Sequence, residues 1–279
     1  MSLTMQLLIL ILLPVAFLLP PGSQAEGWDE VVVTPLRDGE LGSNRAQRDN
    51  GALSMNLVYQ IIGGQEAKPH SRPDMAYLDI QRRGKTYICG GFLVVENFVL
   101  MAAHCNGEEW EQSQQTISVC HRIPHPQYNK ESTNNDIMLL QLAERAKLNR
   151  WGDTISLPCT SERLEAGAMC SIAGWGGTST DCTSNSARLQ EVDVLVMQDA
   201  ACPGNPNRPY HYYNASSMMC VGDPKTGKDS WKGDSGGPLV CGETAQSIIS
   251  WGPPNPPGVY TKVTTFIPCT EVMLRRLQP

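Results

Sequence analysis

From Ile61 onward the chain runs as short apolar stretches separated by polar turns. "AYLDIQ", "FLVVENFVLMAA", "DIMLLQL", "CSIAGWG", "LQEVDVLVM", "PLVC", "SIISWG" and "GVYTKV" are mostly of strand length, rich in β-branched residues and bounded by Gly, Pro or Asn. Nothing of helical length appears until the end. There "TTFIPCTEVMLRRLQP" has apolar residues at helical spacing and basic residues late, which predicts a short C-terminal helix. Many strands and one terminal helix predict an all-β barrel or sandwich. The first sixty residues read differently. An apolar run from about Leu7 to Leu19 is interrupted by Pro14 and followed by small residues. It is too short to span a bilayer comfortably, so it predicts a signal peptide over residues 1–25, despite an n-region without Lys or Arg, and no stable membrane insertion. Residues 26–60 lack periodicity and read as a flexible pro-segment.

Composition narrows the function classes. The 279 residues are 41% hydrophobic and 18% charged, enough for one large or two small domains with a real core. The net charge is −6, and residues 61–279 carry 19 basic and 22 acidic side chains, so no nucleic-acid partner is expected. Ten cysteines behind a signal argue for disulfides in an oxidising compartment. Neither a CxxC pair nor a His-rich cluster suggests a metal or a cofactor. The sequon Asn214-Ala215-Ser216 suits glycosylation of a secreted protein.

Three local signals carry candidate chemistry. His104 follows an apolar strand in "LMAAHC", Asp136 opens the run in "NNDIMLLQL", and Ser235 sits between Asp234 and Gly236-Gly237 in "KGDSGGPLVC". A serine hydroxyl is a poor nucleophile until a base takes its proton, and the base needs a carboxylate to fix its tautomer. Each piece alone has a bland reading: a satisfied histidine, a cap, a glycine-rich turn. Together they supply nucleophile, base and orienter. The glycines would let the Gly233 and Ser235 amides point at a developing oxyanion.

With these motifs in place, residues 61–279 resemble a chymotrypsin-family serine protease, most of all the granzyme, cathepsin G and mast-cell chymase branch. "IIGGQEAKPHSRPDMAYL", "IPHPQYN", "AGWG", "CVGDPK" and "PPGVYTKV" carry the likeness alongside the three motifs above. The resemblance implies two six-stranded antiparallel β-barrels with a short C-terminal helix, and a cleft between the barrels. It implies that His104 is the general base, Asp136 its orienter and Ser235 the nucleophile. It implies a zymogen: cleavage before Ile61 would free an ammonium that pairs with the buried Asp234. Ser250, Trp251 and Gly252 would line the cleft.

The same resemblance places Asp229 at the base of the substrate pocket and Gly252 and Gly258 on its walls. A carboxylate at the bottom of an open pocket selects Lys or Arg; the bland alternative is a solvated loop carboxylate. Trp231 stands where tryptic relatives have a cysteine, which leaves chymotryptic or broad specificity as runners-up. The implied disulfides are Cys89–Cys105, Cys170–Cys241 and Cys202–Cys220. Cys120, Cys159, Cys182 and Cys269 are left over; a Cys159–Cys269 bridge and a reactive free thiol are both open.

Two departures from the family pattern bear on activity. His104 and Asp136 are only 32 positions apart, about a dozen residues shorter than in the granzyme branch. A strand and loop of the first barrel would fall in the gap, and losing a strand exposes sheet edges. The second departure is the long segment ending in Gln60, unlike the short acidic dipeptide of that branch. The sequence therefore predicts a secreted or granule serine endopeptidase made as a zymogen. Its partners would be protein or peptide substrates, an activating protease and serpin-type inhibitors. The rival is a catalytically silent homologue or inactive variant that works by binding.

Overall fold

The computed structural model describes residues 29–33, 61, 63–82, 85–106, 116–149, 152–177, 186, 188–204, 209–222, 224–253 and 255–278. Residues 1–28, which hold the expected signal peptide, lie outside them, as does Cys182. β1 (Asp29–Val33), β3 (Met75–Arg82), β4 (Lys85–Val95), β5 (Phe98–Met101), β6 (Thr116–Pro124) and β7 (Met138–Leu142) close into one antiparallel barrel, in the order β1-β3-β4-β5-β7-β6. The second sheet is formed by β2 (Gln65–Glu66), β8 (Met169–Gly174), β9 (Gln190–Leu195), β10 (Met218–Val221), β11 (Pro238–Cys241), β12 (Thr244–Trp251) and β13 (Gly258–Lys262), ordered β10-β13-β12-β11-β8-β9-β2. Its ends are joined by a Val196–Val221 bridge and by the bonds Met197 N–H to Cys220 O and Gly222 N–H to Leu195 O, each 2.8 Å. The β architecture of two antiparallel barrels and one helix, α1 (Val263–Leu277), is thus as the sequence predicts, with β2 as a seventh strand on the second sheet.

The first barrel differs from expectation in where one strand comes from. β1 lies in the segment that reads as aperiodic. It pairs antiparallel with β6 at four positions, Asp29↔Val119 through Val32↔Thr116, and with β3 at Val32↔Tyr77 and Val33↔Ala76. Only residues 107–115, outside the described ones, separate Asn106 from β6. The shortening inferred there does not open the barrel, because a strand from upstream of Ile61 completes the ring.

Each barrel has its own core. Leu78, Phe92, Leu100, Ile117, Val119 and Leu140 are buried in the first, and Val263, Phe266 and Ile267 of α1 pack onto the same cluster. That face of α1 explains its sequence: apolar side chains at helical spacing against the barrel, with Arg275 and Arg276 in the last turn, where the helix dipole favours cations. Ile172, Val192, Val194, Leu239 and Tyr260 fill the second core. Between the barrels, Met75 and Tyr77 of β3 meet Trp175 and Leu189; the Tyr77 and Trp175 rings stand edge to face, 5.4 Å apart. No helix among the described residues is long and apolar enough to cross a membrane.

The disulfides Cys89–Cys105, Cys170–Cys241 and Cys202–Cys220 are all formed. The contemplated Cys159–Cys269 bridge is not: both thiols are free, as is Cys120.

Candidate active site

The two barrels meet through glycine. Gly90 of β4 donates its N–H to Ser235 O at 2.7 Å. A Cβ on Gly236 (φ 88°) would fall 2.2 Å from Gly90 O, and one on Gly90 would fall 3.0 Å from the Gly237 backbone. Side chains at these positions would push the barrels apart, so the glycines around Ser235 serve close approach as well as a tight turn. The Cys89–Cys105 bridge lies at this seam. Cys105 Sγ is 3.7 Å from His104 Nε2 and 3.8 Å from Ser235 O, so the disulfide fixes the His104 turn to β4 beside the Ser235 loop.

His104 sits in a single helical turn over Ala103–Cys105. Its Nδ1 is 2.6 Å from Asp136 Oδ2, and its backbone N–H donates to Asp136 Oδ1 at 2.7 Å. Asp136 is fully buried and accepts a third bond, from Ser250 Oγ to Oδ2 at 2.5 Å. Thr261 Oγ1 donates to the Asp136 carbonyl at 3.0 Å. A buried carboxylate is tolerable only when so engaged. Burial opposes the charged imidazole, but the Asp136 charge and hydrogen bond outweigh it and raise His104 above its ordinary value. The hydrogen bond between His104 and Asp136 is therefore made. The Ser235 hydroxyl and His104 make no hydrogen bond with each other among the described residues, a link that often tightens only with substrate bound.

The Ser235 loop is shaped by Asp234, which is fully buried. Its carboxylate accepts N–H bonds from Gly176 and Trp231, both 2.8 Å. A Cβ on Gly174 or Gly176 would come within 2.1 or 2.6 Å of that carboxylate, so the "AGWG" motif owes its glycines to Asp234. Burial pushes the Asp234 carboxyl up to about 7, only partly offset by the two amides. It has no ion-pair partner among the described residues. With Gly233 at φ 104°, the Gly233 and Ser235 amides make no bond to a protein acceptor among the described residues, which leaves both free to donate to a ligand oxygen. Ile61 is fully buried in the second core, still joined in sequence to Gln60, at φ 20°, an uncommon value for a β-branched residue.

Asp229 is 4% exposed. Its Oδ1 accepts from Ser230 N at 2.7 Å and from Tyr260 OH at 3.2 Å. Gly258 lies against the carboxylate: a Cβ there would meet Oδ1 at 3.1 Å. Gly252 in turn abuts Gly258: a Cβ on Gly252 would fall 3.0 Å from the Gly258 Cα. Burial raises Asp229 to about 6, despite these donors. The solvated-loop alternative does not hold, since the carboxylate is enclosed. Trp231 lies against Gly177, 3.1 Å from where a Cβ would be, and its buried Nε1 has no partner among the described residues. Trp251 is half-buried at the end of β12, its ring 6.3 Å from that of Tyr210. Asn214 lies on the surface, its Oδ1 accepting from the Ser216 hydroxyl at 2.8 Å.

Sequence reasoning missed three parts: Ser250 as a donor to Asp136 rather than only a cleft residue, Tyr260 as a donor to Asp229, and Gly174 and Gly176 as room for Asp234. All three lie within motifs quoted above, but spacing alone does not connect "SIISWG" to a carboxylate 114 positions away.

Comparison with known proteins agrees with this arrangement. The Trypsin family model matches residues 61–270. Mast cell protease 3 of Ovis aries is 45% identical over 231 residues, covering 78% of this chain and 90% of that protein. Granzyme B of Homo sapiens is likewise 45% identical over 231 residues, at 78% and 92%. Cathepsin G of Mus musculus is 44% identical over 234 residues, at 79% and 87%. A solved structure described as "Structure of GrC" superposes with a TM-score of 0.71 at 39% identity, covering 77% of this chain and all of that one. The chain thus belongs to the trypsin family and is a serine endopeptidase that acts on protein substrates.

Proposed function

We propose that the chain is the zymogen of a secreted or granule protease that cleaves after Lys or Arg with His104, Asp136 and Ser235. The observation that carries this reading is the buried chain Ser250–Asp136–His104 facing a Ser235 loop with two unengaged amides. Ser235 Oγ attacks the substrate carbonyl and passes its proton to His104 Nε2. The Gly233 and Ser235 amides bind the oxyanion. His104 then protonates the leaving amine, and water, activated by the same histidine, releases the acyl group. Ser250, Trp251 and Gly252 lie beside the bound peptide.

Activation follows from Asp234. Cleavage before Ile61 creates an ammonium, and a carboxylate pushed up to about 7 by burial gains most from one. Ile61 already lies buried in the core of the second barrel, the barrel that carries Asp234. Specificity follows from Asp229: held at about 6, it is ionised at neutral pH, and a long cationic side chain passing Gly252 and Gly258 would neutralise it. An activating protease, serpin-type inhibitors and glycosylation at Asn214 complete the proposal.

The missing Ser235–His104 hydrogen bond favours a rival, a silent homologue. The test is to cut the full-length chain before Ile61, assay an arginyl peptide substrate, and treat it with a fluorophosphonate. The proposal expects hydrolysis and label on Ser235, both abolished in Ser235→Ala. Hydrolysis that survives Ser235→Ala would refute it, and an inert chain with a verified Ile61 terminus would establish the rival.

A further inference from the structure

The proposed activation cut falls between two parts of the molecule that belong to different barrels. β1, upstream of it, is a ring strand of the first barrel; Ile61 and β2, downstream, belong to the second. We propose that the N-terminal segment is not discarded on activation: β1 stays seated between β3 and β6, and the mature protease is a two-chain complex in which the segment 26–60 is a noncovalent light chain. This rests on the reading that Gln60–Ile61 is the activation site.

The register carries the argument. β1 is bonded on both of its edges, to β6 across four positions and to β3 across two. Without it, β3 and β6 would each present an unpaired row of N–H and C=O groups, the condition that closed barrels exist to avoid. Val31 lies opposite Ile117 and Val33 opposite Ala76, residues that are 8% and 0% exposed. Removing the strand would therefore uncover the edges of β6 and β3 at positions where those residues are buried. The sequence "DEVVV" suits such a place, since three successive valines favour a strand.

The cut itself does not disturb this strand. Residues 34–60 separate β1 from Ile61, a length of chain that can span up to roughly 90 Å. Cutting the chain there removes only the effective concentration that a covalent connection supplies. Residues 26–60 contain no cysteine, so the ladder alone would hold the piece. A strand paired on both sides can leave only by opening the barrel, which makes release a partial unfolding event rather than simple dissociation.

The decisive experiment uses the full chain, secreted from a eukaryotic cell, with Asn56→Asp, Leu57→Asp, Val58→Asp, Tyr59→Asp and Gln60→Lys placing an enteropeptidase site before Ile61. After cutting, native mass spectrometry on the gel-filtered protein is expected to give the summed mass of both pieces, and denaturant is expected to separate them. A monodisperse folded body beginning at Ile61, with the light chain lost under native conditions, would overturn the proposal. Fluorophosphonate labelling of the same sample reads the activation hypothesis separately: an intact two-chain complex without label defeats activation and leaves strand retention standing. Val31→Pro, which removes a ladder N–H, is expected to shorten light-chain retention at least about tenfold relative to Ala46→Pro in the connecting stretch. Equal retention in the two variants would also overturn the proposal.

Discussion

The two barrels solve the same closure problem with different material. The second draws all its strands from sequence downstream of Ile61 and carries two disulfides, Cys170–Cys241 and Cys202–Cys220. The first carries one, Cys89–Cys105, and borrows β1 from upstream of the proposed activation site. By loop entropy alone, the 71-residue separation of Cys170 and Cys241 contributes about 4 kcal/mol, and the 16-residue separation of Cys89 and Cys105 about 3 kcal/mol. The functional division runs along the same line. His104 and Asp136 come from the first barrel, whereas Ser235, Asp234 and Asp229 come from the second. The proposed base and its orienter thus stand on the barrel with the less continuous construction, and the proposed nucleophile and pocket on the other.

The largest effect that could break this comparison is on the nucleophile. Ser235→Ala should lower kcat of the cut enzyme by roughly 10⁶ while leaving its melting temperature near that of the parent, measured on an arginyl peptide and by calorimetry. On the first barrel, Asp136→Asn should cost about 10⁴ in kcat by spoiling the histidine tautomer. A loss under tenfold would show that Asp136 does not orient the base. In the second-barrel pocket, Asp229→Ser should reduce kcat/KM for arginyl substrates by roughly 30-fold to several thousand-fold, the range for removing one partner of a buried charge pair, with a smaller change for apolar substrates.

A pH series separates the uncut from the cut chain. Asp229 and Asp234 hold their protons to about 6 and about 7 when folded, but only to the ordinary aspartate range when unfolded. Between about pH 4 and 7 the folded chain therefore binds more protons, and its stability falls as pH rises. The Asp234 share is on the order of a few kcal/mol. Asp234→Asn should flatten that slope in denaturant titrations of the uncut chain, and cleavage before Ile61 should do the same by supplying the ammonium. The acid limb of kcat/KM should report His104 and lie above its unperturbed value, since the base acts only when neutral. The smallest expected effect is in hydrogen exchange: amides of Ile117 and Val119 in β6 should exchange roughly tenfold faster than those of Ile172 and Leu239 in the second core.

How far the sequence could be read follows the same division. The motifs of the second barrel, "AGWG", "GDSGGP", "SIISWG" and "GVYTKV", are local, and most strands there, though not the polar β2, are announced by apolar runs with turn residues at their ends. Three of the disulfides came from resemblance and are formed. β1 was not legible: five residues between polar stretches show no alternation, and what makes them a strand is the pair of edges on β3 and β6, far away in the chain. The contribution of Ser250 to Asp136 was hidden for a similar reason, because it depends on a contact across the interbarrel seam. The Cys159–Cys269 pairing fails because distance between thiols is set by the fold, and nothing in their spacing encodes it.

The central claim is that cutting before Ile61 turns this chain into an enzyme acting through Ser235. The most direct measurement is kcat/KM on an arginyl peptide for the full-length chain before and after that cut, with the new terminus verified, alongside Ser235→Ala treated identically. The account predicts activity that appears only with the Ile61 terminus and is absent in Ser235→Ala. Activity that is unchanged by the cut, or that persists without the Ser235 hydroxyl, would contradict it.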